Sequence, residues 1–291
     1  MRRDDHTSVL SKEIMNMLSP KKSDTILDAT AGQGGHTLLL SRTGATVIAL
    51  DADPEAVAAA GKRAPKAKVL EANFADIEKI LGAQKVDKAL FDLGWNRGQL
   101  AAGRGFSFLV DEPLTMSYGP KPRSGFVAAD ILNTWSEKAL ADVFFGYGEE
   151  RYARRIAHAV VARRARQPFK TTIELVEVIK DAVPPAYRHG RLHPATRAFQ
   201  ALRIAVNDEL KSLEEGLLQT WRHLTCDGRI AVVTFHSIED RIVKNVFKKI
   251  TAQGGARLLV KKPLIATREE IVQNPSARSA KLRGIEKICT K

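Results

Sequence analysis

The stretch TILDATAGQGGHTLLL, residues 25–40, runs from a short apolar segment through an aspartate into a glycine-rich turn and a helix-like tail. A brief apolar run followed at once by a helical pattern is how a strand buried in a parallel sheet reads. Three more runs follow it: 46–50, which leads into Asp51; 69–74, which ends on Phe74; and 86–91, which leads into Asp92. Helical patterns lie between them, one opening with Pro54, whose missing N–H suits a first helical turn. The first third of the chain is therefore predicted to be half of an open α/β fold.

Beyond the Gly/Pro-rich segment 94–125 the rhythm changes. Residues 130–224 carry helical patterns at 131–145, 149–166 and 171–180, the last opened by Thr171 and Glu174 at capping-box spacing and stopped by Pro184 and Pro185. A long helix is expected from near Pro194, with Phe199, Leu202, Val206, Leu210, Leu213 and Leu217 on one face. The α/β pattern returns at 228–235, and 257–265 is expected to form the antiparallel strand that closes the sheet. The organisation that accounts for this is a sheet domain, 1–120 and 212–291, interrupted by an all-helical insert, 121–211.

Charge follows the same division. The net charge is +13, yet residues 1–100 carry 14 Lys/Arg against 13 Asp/Glu, whereas 101–291 carry 32 against 20. The densest run, 151–170, has seven Lys/Arg and no acid. Such a field concentrates a polyanion through its phosphates without specifying a sequence, so the insert is expected to recognise nucleic acid. A chain of 291 residues with 44% hydrophobic content argues against disorder. No apolar run approaches the roughly 18 residues a spanning helix requires. Cys226 and Cys289 match no metal or redox spacing and suggest the thiols of a reducing, cytoplasmic compartment. No metal-ligand motif, P-loop or hydrolase elbow occurs, so no metal is expected.

In open α/β sheets, ligands bind beyond the carboxyl ends of the strands, where Asp28, Asp51, Phe74 and Asp92 fall. Gly32, Gly34 and Gly35 permit a tight turn and close backbone approach. Asp51 follows Asp28 at about the spacing at which an acid takes the hydroxyls of a nucleoside ribose. The dinucleotide fingerprint counted from Gly32 lacks its third glycine, since position 37 is threonine. A carboxylate just before the turn also opposes a diphosphate. These features favour S-adenosylmethionine over NAD or FAD, with a purely structural glycine turn as the remaining alternative. Asp92 is the candidate catalytic acceptor for an amine that attacks a methyl group, a reaction that depends on positioning and local electrostatics. His236 in HSIED is a second catalytic candidate. Trp95, Phe106 and Phe108 are candidate stacking partners for a displaced base or else pack beneath a loop. Asn96, Arg104, Arg197, Arg203, Asn207 and Ser237 are further candidate substrate contacts.

The chain resembles the bacterial small-subunit (16S) rRNA cytosine-N4 methyltransferase family nearly end to end. The likeness is carried by HTSVL (6–10), DATAGQGGH (28–36), DADPEA (51–56), NF (73–74), DLG (92–94), GRGFSF (103–108), YGEE (147–150), HPATRAFQALRIAVNDEL (193–210), FHSIEDRIVK (235–244) and NPSARSAKLR (274–283). The resemblance implies a class I, Rossmann-like, mostly parallel sheet with an inserted helical domain, S-adenosylmethionine as cofactor, and 16S rRNA in a partly assembled small subunit as partner. It further implies that Gly34, Gly35 and His36 form the cofactor turn, that Asp51 holds the ribose and Phe74 lines the adenine side, and that Asp92 and Gln99 complete the site. Departures from the family pattern fall at 95–101 and 112–117, on the expected substrate side.

Overall fold

The structure, a computed structural model, describes residues 8–94 and 97–289. Trp95 and Asn96 lie outside the described residues. The chain forms two compact units, Met1–Asn96 with Leu210–Lys291, and Arg97–Glu209. The second unit thus begins at Arg97, earlier than the position 121 expected from sequence.

In the first unit, β1 (Thr25–Asp28), β2 (Thr46–Asp51), β3 (Lys68–Glu71), β4 (Val86–Asp92) and β5 (Leu224–Thr234) form a parallel sheet in the order β3-β2-β1-β4-β5. β6 (Ala256–Leu258), β7 (Leu264–Ile265) and β8 (Lys281–Lys287) extend it. β8 runs antiparallel beside β5, and both β6 and β7 pair with β8. This is the class I methyltransferase sheet with a reversed strand beyond the parallel ones. Its central strands β1, β2, β4 and the second half of β5 are buried and apolar on both faces, which removes the polar alternation of a half-exposed sheet. Leu27, Ile48, Leu50, Phe91 and Val232 pack with Leu213 and Leu217 of the helix Glu209–His223 and with Val243 and Phe247 of the helix Ser237–Ala252. Ile26, Val47, Leu90 and Val233 pack with Ile14 and Leu18 of the helix Ser11–Leu18 and with Leu40 of the helix Gly35–Ser41.

Residues 257–265 do not form one closing strand: they contribute to the short β6, which lies at the antiparallel edge, and to β7, while β8 is the strand that runs antiparallel beside β5. The sequence of β8, KLRGIEK, hides a strand because its charges are paired across the sheet. Glu286 is buried opposite Arg229 on β5 and Arg257 on β6, ion-paired to both. Arg283 forks onto Asp240 at 2.7 and 3.2 Å. Cys226 and Cys289 are not separate thiols: a disulfide joins them, with Cα atoms 5.5 Å apart. Continuing the β5–β8 register from Arg229↔Glu286 brings these two positions opposite each other, a proximity that sequence spacing does not reveal. β3 is shorter than expected. Asn73 ends it by accepting the N–H of Ala75 at 2.8 Å, so Phe74 opens a 3-10 turn, Phe74–Asp76.

The second unit is helical: Arg97–Ala101, Ala128–Thr134, Glu137–Gly148, Ala153–Arg164, Thr172–Ala182, Pro185–Arg188 and Thr196–Asn207. Thr171 and Glu174 form the expected capping box. The helix expected over 131–145 is broken, and Ser136 caps its second part by accepting the N–H of Ala139 at 3.2 Å. The helix expected over 149–166 starts late because Glu149, at φ 52°, ends the preceding helix instead. Gly148 lets that helix approach Thr196–Asn207, since a Cβ there would lie 2.5 Å from the Arg197 carbonyl. The long helix expected from Pro194 to Leu217 is two helices. Asp208 turns left-handed at φ 49° while the apolar spacing runs on through it. The break is held by Asn207, whose amide donates to the carbonyls of Met116 (2.7 Å) and Arg203 (2.9 Å) and accepts from Tyr118 N–H (2.9 Å).

The Glu286 bridge gives the first test. Burial opposes its charge, but Arg257 and Arg229 hold its carboxyl below the usual range. A depressed carboxyl stabilises the fold above the unfolded-state value and loses that contribution as pH falls through the folded one. Glu286→Gln is expected to cost about 2 kcal/mol at pH 7, read by denaturant titration, and the difference from wild type should begin to shrink only below the ordinary glutamate value of about 4.3 and vanish once pH has fallen past the lower folded-state value.

Candidate cofactor and methyl-transfer site

The site is built on the ends of β1, β2 and β4. Asp28 ends β1 fully buried; Thr37 Oγ1 donates to its Oδ2 at 2.7 Å, and the backbone N–H of Thr30 reaches its Oδ1 at 3.3 Å. This carboxyl therefore ties together the two ends of the glycine turn. Burial pushes its pKa up against the opposing pull of the Thr37 bond. Gly34, at φ 76°, occupies a conformation that strains any side chain, and a Cβ there would lie 2.8 Å from Ala60 Cα. At Gly35 a Cβ would meet Ser8 Oγ at 2.1 Å.

Asp51, at the end of β2, accepts the N–H of Gly32 at 2.8 Å on one oxygen and that of Asp53 at 2.9 Å on the other. Each oxygen keeps a lone pair for another donor. Desolvation pushes its pKa up to about 6, against those two bonds. Asp92, at the end of β4, is fixed through its own N–H, which donates to Thr30 Oγ1 at 2.6 Å. Its Oδ2 lies 3.4 Å from His36 Nε2, an ion-pair distance that falls short of a hydrogen bond. His36 Nε2 and Asp92 Oδ1 are consequently buried without a hydrogen-bond partner. Burial opposes a charged ring at His36, but Asp92, Asp28 and the Val9 backbone together raise its pKa. Phe74 packs edge-on against Phe91, with centroids 5.7 Å apart.

The turn thus brings Gly32, Gly34, Gly35, His36, Asp51 and Asp92 into one neighbourhood, with Phe74 beyond β3. Thr30 and Thr37 belong to it and were missed as contributors; the signal was present in the spacing of the threonines around Asp28. The donor set suits a cationic nucleoside. Asp51 has acceptor capacity for a ribose diol, Asp92 offers an unpaired buried oxygen, and none of Asp28, Asp51 and Asp92 is paired with Lys or Arg among the described residues. A diphosphate would meet three carboxyl groups and no cation bound to them.

His236 is occupied at a helix cap. Its Nδ1 accepts the N–H of Glu239 at 3.3 Å, while Nε2, 3.0 Å from Glu239 Oε1, is buried without a hydrogen-bond partner. Glu239 in turn accepts the N–H groups of Phe235 and His236. Ser237 is exposed in the first turn of the same helix. The remaining candidates belong to the second unit. Gln99 is buried there. Arg104 donates to the carbonyls of Ser117 (3.3 Å) and Tyr118 (2.5 Å). Phe106 stacks on Tyr118, and Phe108 lies on His193 at 4.6 Å. Arg203 forks onto Glu209, both bonds 2.9 Å, and is buried with Asn207. Arg197 donates to the Glu149 carbonyl at 2.8 Å.

A family model described as the MraW methylase family matches residues 3–288. The chain belongs to the MraW methylase family. Among its relatives, the ribosomal RNA small subunit methyltransferase H of Synechocystis sp. is 45% identical over 295 residues, covering 97% of this chain and 93% of that one. The protein of the same name from Nostoc punctiforme is 46% identical over 290 residues, covering 97% and 94%; that from Pelobacter propionicus is 43% identical over 310 residues, covering 97% and 98%. In this methylase the aspartates ending β1, β2 and β4 divide the work: Asp28 braces the turn, while Asp51 and Asp92 keep acceptors free. Among the described residues no group of His, Cys, Asp and Glu is arranged to hold a metal ion.

The brace is testable apart from any chemistry. Thr37→Val removes the donor to a fully buried carboxyl and is expected to lower stability by about 1–3 kcal/mol, whereas Thr37→Ser, which keeps the hydroxyl, should recover most of it. Thermal unfolding of the two variants checks this.

Proposed function

We propose that this chain transfers a methyl group from S-adenosylmethionine to the exocyclic N4 amine of a cytidine in the decoding region of 16S rRNA, presented in a partly assembled small ribosomal subunit in the cytoplasm. The observation that carries this reading is the Asp92 carboxylate, one oxygen facing His36 and the other buried without a partner. The names borne by relatives more than 40% identical along nearly the whole chain point to small-subunit ribosomal RNA as the substrate. Among the described residues no helix is long and apolar enough to cross a membrane.

Gly32, Gly34, Gly35 and His36 would form the wall against the cofactor, Asp51 would hold its ribose, and Phe74 would line its base. When bound, S-adenosylmethionine supplies an electrophilic methyl group on a sulfonium. The chemistry left to the protein is placement of the amine. A cytosine amine is a weak nucleophile because its lone pair is delocalised into the ring. Asp92 Oδ1 accepts one of its N–H bonds, which orients the nitrogen and favours the pyramidal geometry in which the lone pair is free. The methylated amine is a strong acid, so Asp92 need only receive its proton late. His36 Nε2 sits 3.4 Å from the other oxygen and leaves Oδ1 free to accept.

Two outcomes check this assignment. Asp92→Asn is expected to lower turnover by about 10²–10³ while S-adenosylhomocysteine affinity stays within a few-fold, as read by calorimetry; N4-methylcytidine, detected by mass spectrometry of 16S rRNA, should disappear accordingly. Protonation of Asp51 removes a charged acceptor, so wild-type affinity for S-adenosylhomocysteine should fall as pH drops through about 6, and Asp51→Ala should bind weakly with that pH step lost.

A further inference from the structure

The second unit carries an arginine cluster that the site above does not use. At the start of the helix Ala153–Arg164, the Arg151 guanidinium lies over two tyrosine rings, 4.9 Å from the centroid of Tyr152 and 4.7 Å from that of Tyr187. Arg155, one turn on, lies 5.9 Å over Tyr152. The rings are themselves pinned. Tyr187 donates its hydroxyl to Glu150 Oε2 at 2.6 Å, and the backbone N–H of Tyr152 donates to Glu150 Oε1 at 2.8 Å. Glu150 is fully buried, and the two tyrosines meet edge-on with centroids 4.9 Å apart. Burial and the bond to Glu150 push the Tyr187 hydroxyl up to about 12, so it stays a donor.

Stacking of this kind fixes the plane of a guanidinium and leaves its N–H fork at the edge. Arg151, Arg154 and Arg155 are all exposed, and none of them has a hydrogen bond or ion pair among the described residues. Arg197 lies close enough to act on the Tyr187 hydroxyl together with Arg151. Arg151, Arg155 and Arg197 thus gather around the tyrosine pair, with Glu150 enclosed beneath the rings and Glu149 exposed, and Arg154 is exposed one residue before Arg155. A lysine-rich solvated face would show mobile, unstacked cations; here a buried carboxylate and two aromatic rings are used to hold one arginine still. Ordering the side chain in advance lowers the entropic cost of binding, and a planar fork fits the oxygens of a phosphate.

We infer that the tyrosine-backed edge formed by Arg151, Arg154 and Arg155 grips the sugar–phosphate backbone of the RNA substrate and orients it without reading its sequence. The inference rests on the RNA-methylating function proposed above and names where the RNA is held on the helical unit. Contacts to phosphate position a nucleic acid and carry no base information, so the edge should act alike on cognate and unrelated RNA.

The test is filter binding of a 16S rRNA transcript, and of a scrambled RNA of equal length, over a salt series, with Arg151→Ala/Arg155→Ala against wild type. Loss of two phosphate contacts should weaken binding to both RNAs about tenfold or more at low salt and reduce the slope of log affinity against log salt by about two. Binding of S-adenosylhomocysteine, whose proposed contacts lie on the first unit, should be unchanged, and a thermal unfolding curve matching wild type certifies that the helical unit is folded. Arg155→Glu, an exposed change on a helix, gives a second reading with the same sign, and Arg151→Lys should fall between wild type and alanine because it keeps the charge and loses the planar fork. Unchanged affinity and slope in the double variant would overturn the inference. So would a variant that binds naked RNA normally but fails only on assembled subunits, an outcome assigning the edge to a ribosomal protein. The function itself is judged separately: RNA bound but never methylated by wild type rejects the methyltransferase reading and leaves the phosphate edge standing.

Discussion

The architecture of the site depends on one buried carboxyl, that of Asp28. It sits at the end of the strand flanked on both sides by parallel neighbours, and its two oxygens take Thr37 Oγ1 and the N–H of Thr30. Those bonds close a loop around the glycines. Thr30 then reaches across to the N–H of Asp92, and the adjacent His36 reaches the Asp92 side chain. This carboxyl thereby fixes Asp92 through Thr30 and His36 through Thr37, each at two covalent or hydrogen-bonded steps. Burying a carboxyl without a cation is costly; the expected return is a turn whose geometry does not drift when ligand is absent.

The pattern of charge in the first unit follows from the same arrangement. Three aspartates end neighbouring strands, and each has a different environment: Asp28 enclosed, Asp51 desolvated but bonded to two backbone N–H groups, Asp92 beside an imidazole. Carboxyl groups gathered this closely raise one another's pKa values unless something positive intervenes. His36 is that group, the sole side chain among those bonded or paired to the three that can carry a positive charge. Asp92 and Asp28 both raise the pKa of that ring, so a change at either aspartate alters His36.

The sheet and the turn were legible because they depend on local pattern. Runs buried on two faces lose their polar residues, and glycines follow where Gly34 must turn left-handed against Ala60. What stayed hidden depends on partners far along the chain. β8 looks like a charged loop until Glu286 is set between Arg229 and Arg257. The apolar stripe from Phe199 to Leu217 continues through a break because its period is unchanged by the left-handed residue at Asp208, and the residues that hold that break, Asn207 and Arg203, look like surface polar groups in the sequence. His236 follows a core strand as a catalytic residue might, but the Glu239 three positions on draws its ring into a cap. Residue type announced polarity at each of these positions, and only the fold decides whether that polarity faces a ligand or another part of the chain.

The same distinction separates two kinds of arginine in the helical unit. Arg203 is buried and satisfied by both oxygens of Glu209, so its charge is cancelled where it sits and contributes little to any external field. Arg151 is held by rings rather than by an acid, so its charge is retained at the surface. Net charge counts the two alike. A basic sequence acquires a direction toward a polyanion only where the groups that immobilise its cations are neutral, or are acids buried beneath them as Glu150 is.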